Sequence, residues 1–331
     1  MVLYIAFFAL VVLVFYSGRN LLIYGDILAD KFNLGRSLFG VIFVASITSL
    51  PELITGISSV TIAKSPDIAV SNIFGSCMFN FMVFAFVDFL LEDTPMTKKV
   101  HHGLSLSAAF GIILIGIAMM PLWLKKELTL GWFSIFSVLI LVVYMIAISV
   151  TSSYEKRRMK KMIEKTVYEI KEEAISKKEA VIQYIIHSTV IIFAAMLLPY
   201  LGKLIAIETG IGESFIGGIL LGITTSLPEI AVSMLAVKMD MVEMAVSNIL
   251  GSNIFNIFTL TVDDLFFTKG SIFVHVSPDQ GVLATASIIM AAIIMIELIY
   301  RSERKALGRF DYESLAIVAV YLFTFIYIGT R

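Results

Sequence analysis

Long apolar stretches alternate with short polar breaks along the whole chain. Ten of them approach or exceed the roughly 20 residues an α-helix needs to cross the hydrocarbon of a bilayer. The pattern predicts spans over 2–25, 38–63, 66–92, 100–121, 128–151, 180–205, 213–238, 241–268, 282–300 and 312–330. The runs are continuous rather than alternating, which selects helices over barrel strands. The first starts directly after Met1. It has no basic leader and no clean cleavage site, so it reads as a retained helix rather than a secretory signal.

One connection is long and polar. The segment 152–179 carries nine Lys and Arg residues, with Glu164 four residues after Lys160, the spacing of a solvated surface helix. Placing it in the cytoplasm puts 18 Lys and Arg in inside loops against six outside, with Arg19 in the first span left aside. This bias predicts both termini outside the cell membrane.

The chain also repeats itself, a feature to be sought early in any sequence. Thr48-Ser-Leu-Pro-Glu52 recurs letter for letter as Thr225-Ser-Leu-Pro-Glu229, and Ala69–Asn80 matches Ala245–Asn256 at nine of twelve positions. Gly35 and Gly40 find partners in Gly212 and Gly217. The copies begin five spans apart, an odd number, so the second enters the membrane upside down. The expected architecture is an all-α integral membrane protein of ten transmembrane helices in two inverted five-helix repeats. Its parts are 1–151 with a motif at 45–80, the cytoplasmic linker 152–179, and 180–331 with a motif at 222–256. Secondary transporters commonly place the substrate site at the interface of such repeats, near mid-membrane.

Glu52 and Glu229 fall within apolar spans, where an isolated charge costs at least ~2.5 kcal/mol. Ala45, Thr48 and Ser49 share a helical face with Glu52, and Gly222, Thr225 and Ser226 share one with Glu229. Pro51 and Pro228 free the carbonyls of Ile47 and Thr224, and such broken helices are tolerated at membrane depth only against protein or a wet cavity. A second stripe recurs every four residues as Asn72, Ser76, Asn80 and as Asn248, Ser252, Asn256. Asn72 and Asn248 read as helix glue, and Ser76, Asn80, Ser252 and Asn256 as nearer the ions; Gly75 and Gly251 suggest close helix contact. Carboxylate, hydroxyl, amide and carbonyl oxygens form a hard set that suits calcium and alkali cations over zinc or copper. Two carboxylates offset one calcium ion, and more than two sodium ions in its place would make exchange electrogenic.

Composition agrees with this placement. The chain is 58% hydrophobic and 15% charged, with a mean hydropathy of +0.92. Most of it belongs in lipid. Cys77 is the one cysteine, so no intrachain disulfide exists, and a net charge of -1 gives no reason to expect nucleic acid. A monomer without covalent cofactor is expected, whose partners are calcium, sodium and the lipid bilayer.

At these residues the chain resembles the calcium/cation antiporter superfamily, specifically its compact prokaryotic sodium/calcium exchangers. The paired motifs Thr48–Glu52 with Ser71–Asn80, and Thr225–Glu229 with Ser247–Asn256, carry the resemblance across both halves. It implies a core of the second, third, seventh and eighth helices, with the long first and sixth sliding against it. The implied ion ligands are the backbone carbonyls of Ala45 and Gly222, the side chains of Thr48, Ser49, Glu52, Ser76, Thr225, Ser226, Glu229 and Ser252, and Asn80 and Asn256 at the centre. Some relatives carry aspartate where this chain has Asn256, which sets potassium dependence and proton coupling there in question. The family's large soluble calcium-sensing domains are missing, and 152–179 is too short to hold one.

The nearest rival is a proton/calcium antiporter of the same fold. An intramembrane hydrolase would need a histidine set or an activated water, and His187, the histidine nearest a span centre, has no copy in the other half. A channel suits paired central acids less well than an occluding carrier. His101, His102 and His275 are expected in solvent, Trp123 and Trp132 at the interface, and Asp88 and Asp264 as matched residues capping helix ends or lining an access funnel.

Overall fold

The structure, a computed structural model, describes residues 1–31, 48–91, 96–124, 128–163, 176–238, 242–300 and 311–330. Nearly all of these are helical, and the strands among them form one small hairpin, Thr129–Leu130 paired with Phe133–Ser134. The principal helices are α1 Val2–Lys31, α2 Leu50–Thr61, α3 Pro66–Leu90, α4 Leu104–Leu124 and α5 Ile135–Ile163. They are followed by α6 Lys177–Thr209, α7 Glu213–Lys238, α8 Val242–Phe266, α9 Asp279–Tyr300 and α10 Tyr312–Gly329. Eight of them, all but α2 and α5, are long and apolar enough to cross a membrane. α5 carries a shorter apolar stretch, Ile135–Thr151, and most of the first part of the span expected at 38–63 lies outside the described residues.

Local chemistry sets several ends. Ser65 accepts a hydrogen bond from Ile68 N (3.2 Å) and Pro66 opens α3, a polar cap followed by the residue with no amide to lose. Ser176 caps α6 through Glu179 N (3.1 Å), and α6 stops at Gly210, whose φ of +74° is open to glycine without a Cβ penalty. Three expected ends move. α1 runs on to Lys31; the hairpin replaces the start of the fifth span, so α5 begins at Ile135 and continues into the linker to Ile163; α6 takes over the linker's end from Lys177. A helix grows as long as its ladder is satisfied, so lipid depth marks the apolar stretch and not the helix end.

Packing follows a reciprocal plan. The most extensive pairing joins α1 to α6. α2 packs on α6 as α7 packs on α1; α3 packs on α7 as α8 packs on α2; α4 packs on α8 as α9 packs on α3; α5 packs on α8 as α10 packs on α3. α3 and α8 are the most enclosed spans, 72% buried over their apolar windows, against 22% for α1 and 28% for α10. The outer helices leave Phe8, Tyr16, Phe323 and Ile326 exposed, as a lipid-facing surface requires.

Asp88 and Asp264 show the same reciprocity. Asp88 accepts from Met96 N (3.3 Å) and Ser314 Oγ (3.1 Å); Asp264 accepts from Ile272 N (2.7 Å), Ser134 N (2.8 Å) and Ser137 Oγ (2.7 Å). Each ties the end of its helix to the next loop and to a serine near the start of α10 or α5. They are structural clamps. His101, expected in solvent, instead lies 3.6 Å from Glu243.

α3 and α7 approach each other at backbone distance. Gly75 lies against the Gly218 carbonyl, and Gly222 against Gly75 and Ser76 N, so any Cβ at 75 would collide with backbone. Gly75→Ala is expected to lower thermal stability by about 1–3 kcal/mol, the cost of overpacking a rigid contact. Gly116→Ala, where no described atom comes within 4 Å of the new methyl, should be neutral or slightly stabilising. Thermal unfolding of the two variants in detergent checks both.

Candidate cation site

The two TSLPE copies fold alike. Ser49 has φ −89° and ψ 10°, and Ser226 has φ −88° and ψ 7°, values in the sparsely occupied bridge region that many functional-site residues adopt. Each serine interrupts its helix just before Leu50-Pro51 or Leu227-Pro228. In α7 the preceding turns are also loosened into a π-helix over Ile216–Leu221. Proline cannot donate into the ladder, so the backbone opens where the polar residues gather.

The acids meet the opposite half. Ser49 Oγ donates to Glu229 Oε1 at 3.0 Å, and Ser226 Oγ donates to Glu52 Oε1 at 3.0 Å. Both glutamates and both serines are 0% exposed. The hydroxyl of Thr48 also stands within interaction range of Glu229, and that of Thr225 stands near Glu52. Ser76 Oγ donates to the Gly222 carbonyl (3.3 Å) and lies 3.2 Å from Thr225 Oγ1. Two of the predicted hydroxyls and the predicted carbonyl are thus gathered at one point.

Asn72 and Asn248 each reach across to α7. Thr225 Oγ1 donates to Asn72 Oδ1 (3.4 Å), and Asn248 Nδ2 donates to Ser233 Oγ (3.4 Å). The central asparagines differ. Asn80 Nδ2 donates to Asn253 Oδ1 at 2.9 Å, whereas Asn256 has the thiol of Cys77 for a neighbour, in the repeat position of Asn253. The Asn256 carboxamide therefore keeps both its atoms free of hydrogen bonds.

Several oxygens remain unsatisfied. Glu52 Oε2, Glu229 Oε2, Asn80 Oδ1, Asn256 Oδ1 and Ser252 Oγ are buried and have no hydrogen-bond partner. Each such group costs roughly 1–3 kcal/mol when left alone. These five oxygens on α2, α3, α7 and α8, two of them carboxylate, form a polar set fitted to a dehydrated hard cation and poorly suited to a soft one. Ala45 lies outside the described residues. The other eleven predicted residues lie in the α2, α3, α7 and α8 segments or at their breaks, and Thr48, Ser76, Asn80, Thr225, Ser252 and Asn256 among them are no more than 1% exposed.

Asp263, Glu297 and Asp311 are buried acids that the sequence reading did not single out, and Asp263 lies on the helix of the asparagine stripe. Asp263 in α8 is 0% exposed, and neither of its oxygens accepts a hydrogen bond. The signal was present in the repeat: Asp264 aligns with Asp88, which leaves Asp263 aligned with Val87, an acid without a counterpart.

Known proteins resemble the chain over most of its length. An uncharacterized membrane protein of Methanocaldococcus jannaschii is 24% identical over 325 residues, covering 97% of both chains. Inner membrane protein YrbG of Escherichia coli is 24% identical over 284 residues, 85% of each. Among solved structures, the sodium-calcium exchanger NCX_Mj soaked with 100 mM Na+ and 10 mM Sr2+ superposes with a TM-score of 0.61 at 22% identity, over 98% of both chains, which shows a common fold. The model of the sodium/calcium exchanger protein family matches residues 2–151 and 180–329. With both halves matched and the oxygen-lined core between them, the chain belongs to the sodium/calcium exchanger protein family, a multi-pass membrane cation exchanger and not an enzyme.

Proposed function

We propose that this protein exchanges calcium for sodium by alternating access, with Glu52 and Glu229 neutralising one calcium ion. The observation that carries the reading is the pair of crosswise bonds, Ser49 to Glu229 and Ser226 to Glu52, each leaving a second carboxylate oxygen unsatisfied toward the same core. Around them, Thr48, Ser76, Asn80, Thr225, Ser252 and Asn256 supply neutral oxygens, and the Ala45 and Gly222 carbonyls complete the set. Abundant hydroxyls favour sodium as the counter-ion, since a proton needs only an acid and not an oxygen cage.

The scaffold is ten transmembrane helices in two inverted repeats, 1–151 and 180–331, joined by a cytoplasmic linker at 152–179. Supporting this are the odd offset between the motif copies, the reciprocal helix contacts, and the 18 to six distribution of Lys and Arg. Both termini then lie outside the plasma membrane, and the protein acts as a monomer. More than two sodium ions replace each calcium ion, so net charge crosses the membrane in every cycle.

Proteoliposomes loaded with sodium should accumulate radioactive calcium when the pH gradient is collapsed with an ionophore. Accumulation that needs a pH gradient and ignores sodium identifies a proton/calcium antiporter instead. An inside-positive potential should speed sodium-driven calcium uptake coupled to sodium efflux when three sodium ions leave per calcium, and uptake indifferent to potential would mean electroneutral exchange. Glu52→Gln or Glu229→Gln should each cut calcium transport by about 10-fold to 100-fold or more, the loss of one charge-assisted ligand. Retained transport in both variants overturns the assignment of the site.

A further inference from the structure

Asp263 lies beside this oxygen set and is used by none of it. Its carboxylate fills the niche left by the missing side chain of Gly56 on α2, where a Cβ would collide with both its oxygens. Gly56 follows Glu52 by four residues, on the same helical face and one turn, about 5.4 Å, farther along. On α8 the residues Ser252, Asn256, Thr259 and Asp263 succeed one another at steps of four, three and four, and so form one stripe. A helical side chain leans toward the N-terminus of its helix, which inclines the Asp263 carboxylate back toward Asn256.

Among the described residues no hydrogen bond or ion pair reaches this acid, and Lys238 on α7 and Lys98 and Lys99 before α4 lie toward the opposite end of α8 in the sequence register. Its neighbour Asp264 is itself acidic and already held by Ser134, Ser137 and Ile272. Glu52 on α2 and Glu229 on α7 add negative charge. α4 contributes no ionisable side chain over Leu104–Leu124, α5 presents the Tyr144 ring stacked on Phe258, and α3 presents the Cys77 thiol. α6, packed on α2, carries Lys203, whose ammonium is bound to the Ala63 carbonyl at 2.9 Å and lies 3.8 Å from Glu213. A bare carboxylate buried this way must take up a positive charge from outside the protein framework.

We propose that Asp263 is a third acidic station on the ion path, one turn beyond Glu52, occupied during the exchange cycle by a monovalent hard cation, a sodium ion or a proton. The station is one-sided. In the other repeat Gly56 corresponds to Ser233 and Asp263 to Val87, which is buried and apolar, so only one of the two access routes carries the extra acid. This inference rests on the exchange reading above, and the test keeps the two apart.

Wild type, Asp263→Asn and Asp263→Glu are compared in proteoliposomes for calcium uptake against sodium concentration and against pH. Asp263→Asn should raise the half-saturating sodium concentration about five-fold or more if sodium is the occupant, or abolish the pH profile if a proton is. Asp263→Glu should restore much of whichever property is lost. An Asp263→Asn protein with the sodium and pH dependences of wild type overturns the proposal. Failure of wild type to take up calcium on any sodium or proton gradient sinks the exchange reading instead. A second measurement on wild type alone covers an Asn variant that does not fold: a hydrophobic carbodiimide, located by mass spectrometry, should modify Asp263 and be blocked by sodium or by raising pH. Absence of modification at Asp263 under every condition also counts against the station.

Discussion

Two carboxylates held in a lipid-depth core by serines of the opposite half are the constraint on which everything else turns. An acid on an isolated span would be expelled toward water or neutralised. Here Ser49 steadies Glu229 and Ser226 steadies Glu52, so each half supplies the acid that the other half holds. The bridge-region backbone of the two serines, the prolines two residues on, and the enclosure of α3 and α8 all serve that exchange of bonds. The site belongs to the seam between the halves and to neither half alone.

Enclosure and openness are distributed accordingly. Glycines bring α7 against α3 at backbone distance, while the loosened turns of Ile216–Leu221 relieve the ladder just before the polar residues. Asp88 and Asp264 pin the ends of α3 and α8 to loops and to neighbouring helices, fixing the two helices that carry the asparagine stripes. At the periphery His187 packs against Tyr16 and Tyr24, its ring 6.0 Å from that of Tyr24, across the α1–α6 contact. Among the described residues the contact there is aromatic and apolar.

Much of this was legible in the residues. Apolar length located the helices, and a repeated pentapeptide located the acids. Ends were less legible, because α1, α5 and α6 continue past the lipid-sized run and Gly131 turns a hairpin where an uninterrupted helix was expected. The pairing of serines with acids was hidden as well: face and spacing place Ser49 beside Glu52 on its own helix, and only tertiary packing sends its hydroxyl across to Glu229. The inequality of Asn80 and Asn256 depends on one substitution between the copies, Cys77 against Asn253, whose effect requires knowing that the two positions adjoin. Asp263 was passed over because its neighbour Asp264 satisfied the repeat, and an unmatched residue draws no attention in a search for matches.

The reciprocal packing of α2 on α6 and of α7 on α1 interlocks the halves like clasped hands, so a cation bound at the seam would be coupled to their cohesion. If bound charge tightens the seam, a slackened seam holds that charge less tightly, by the same free energy.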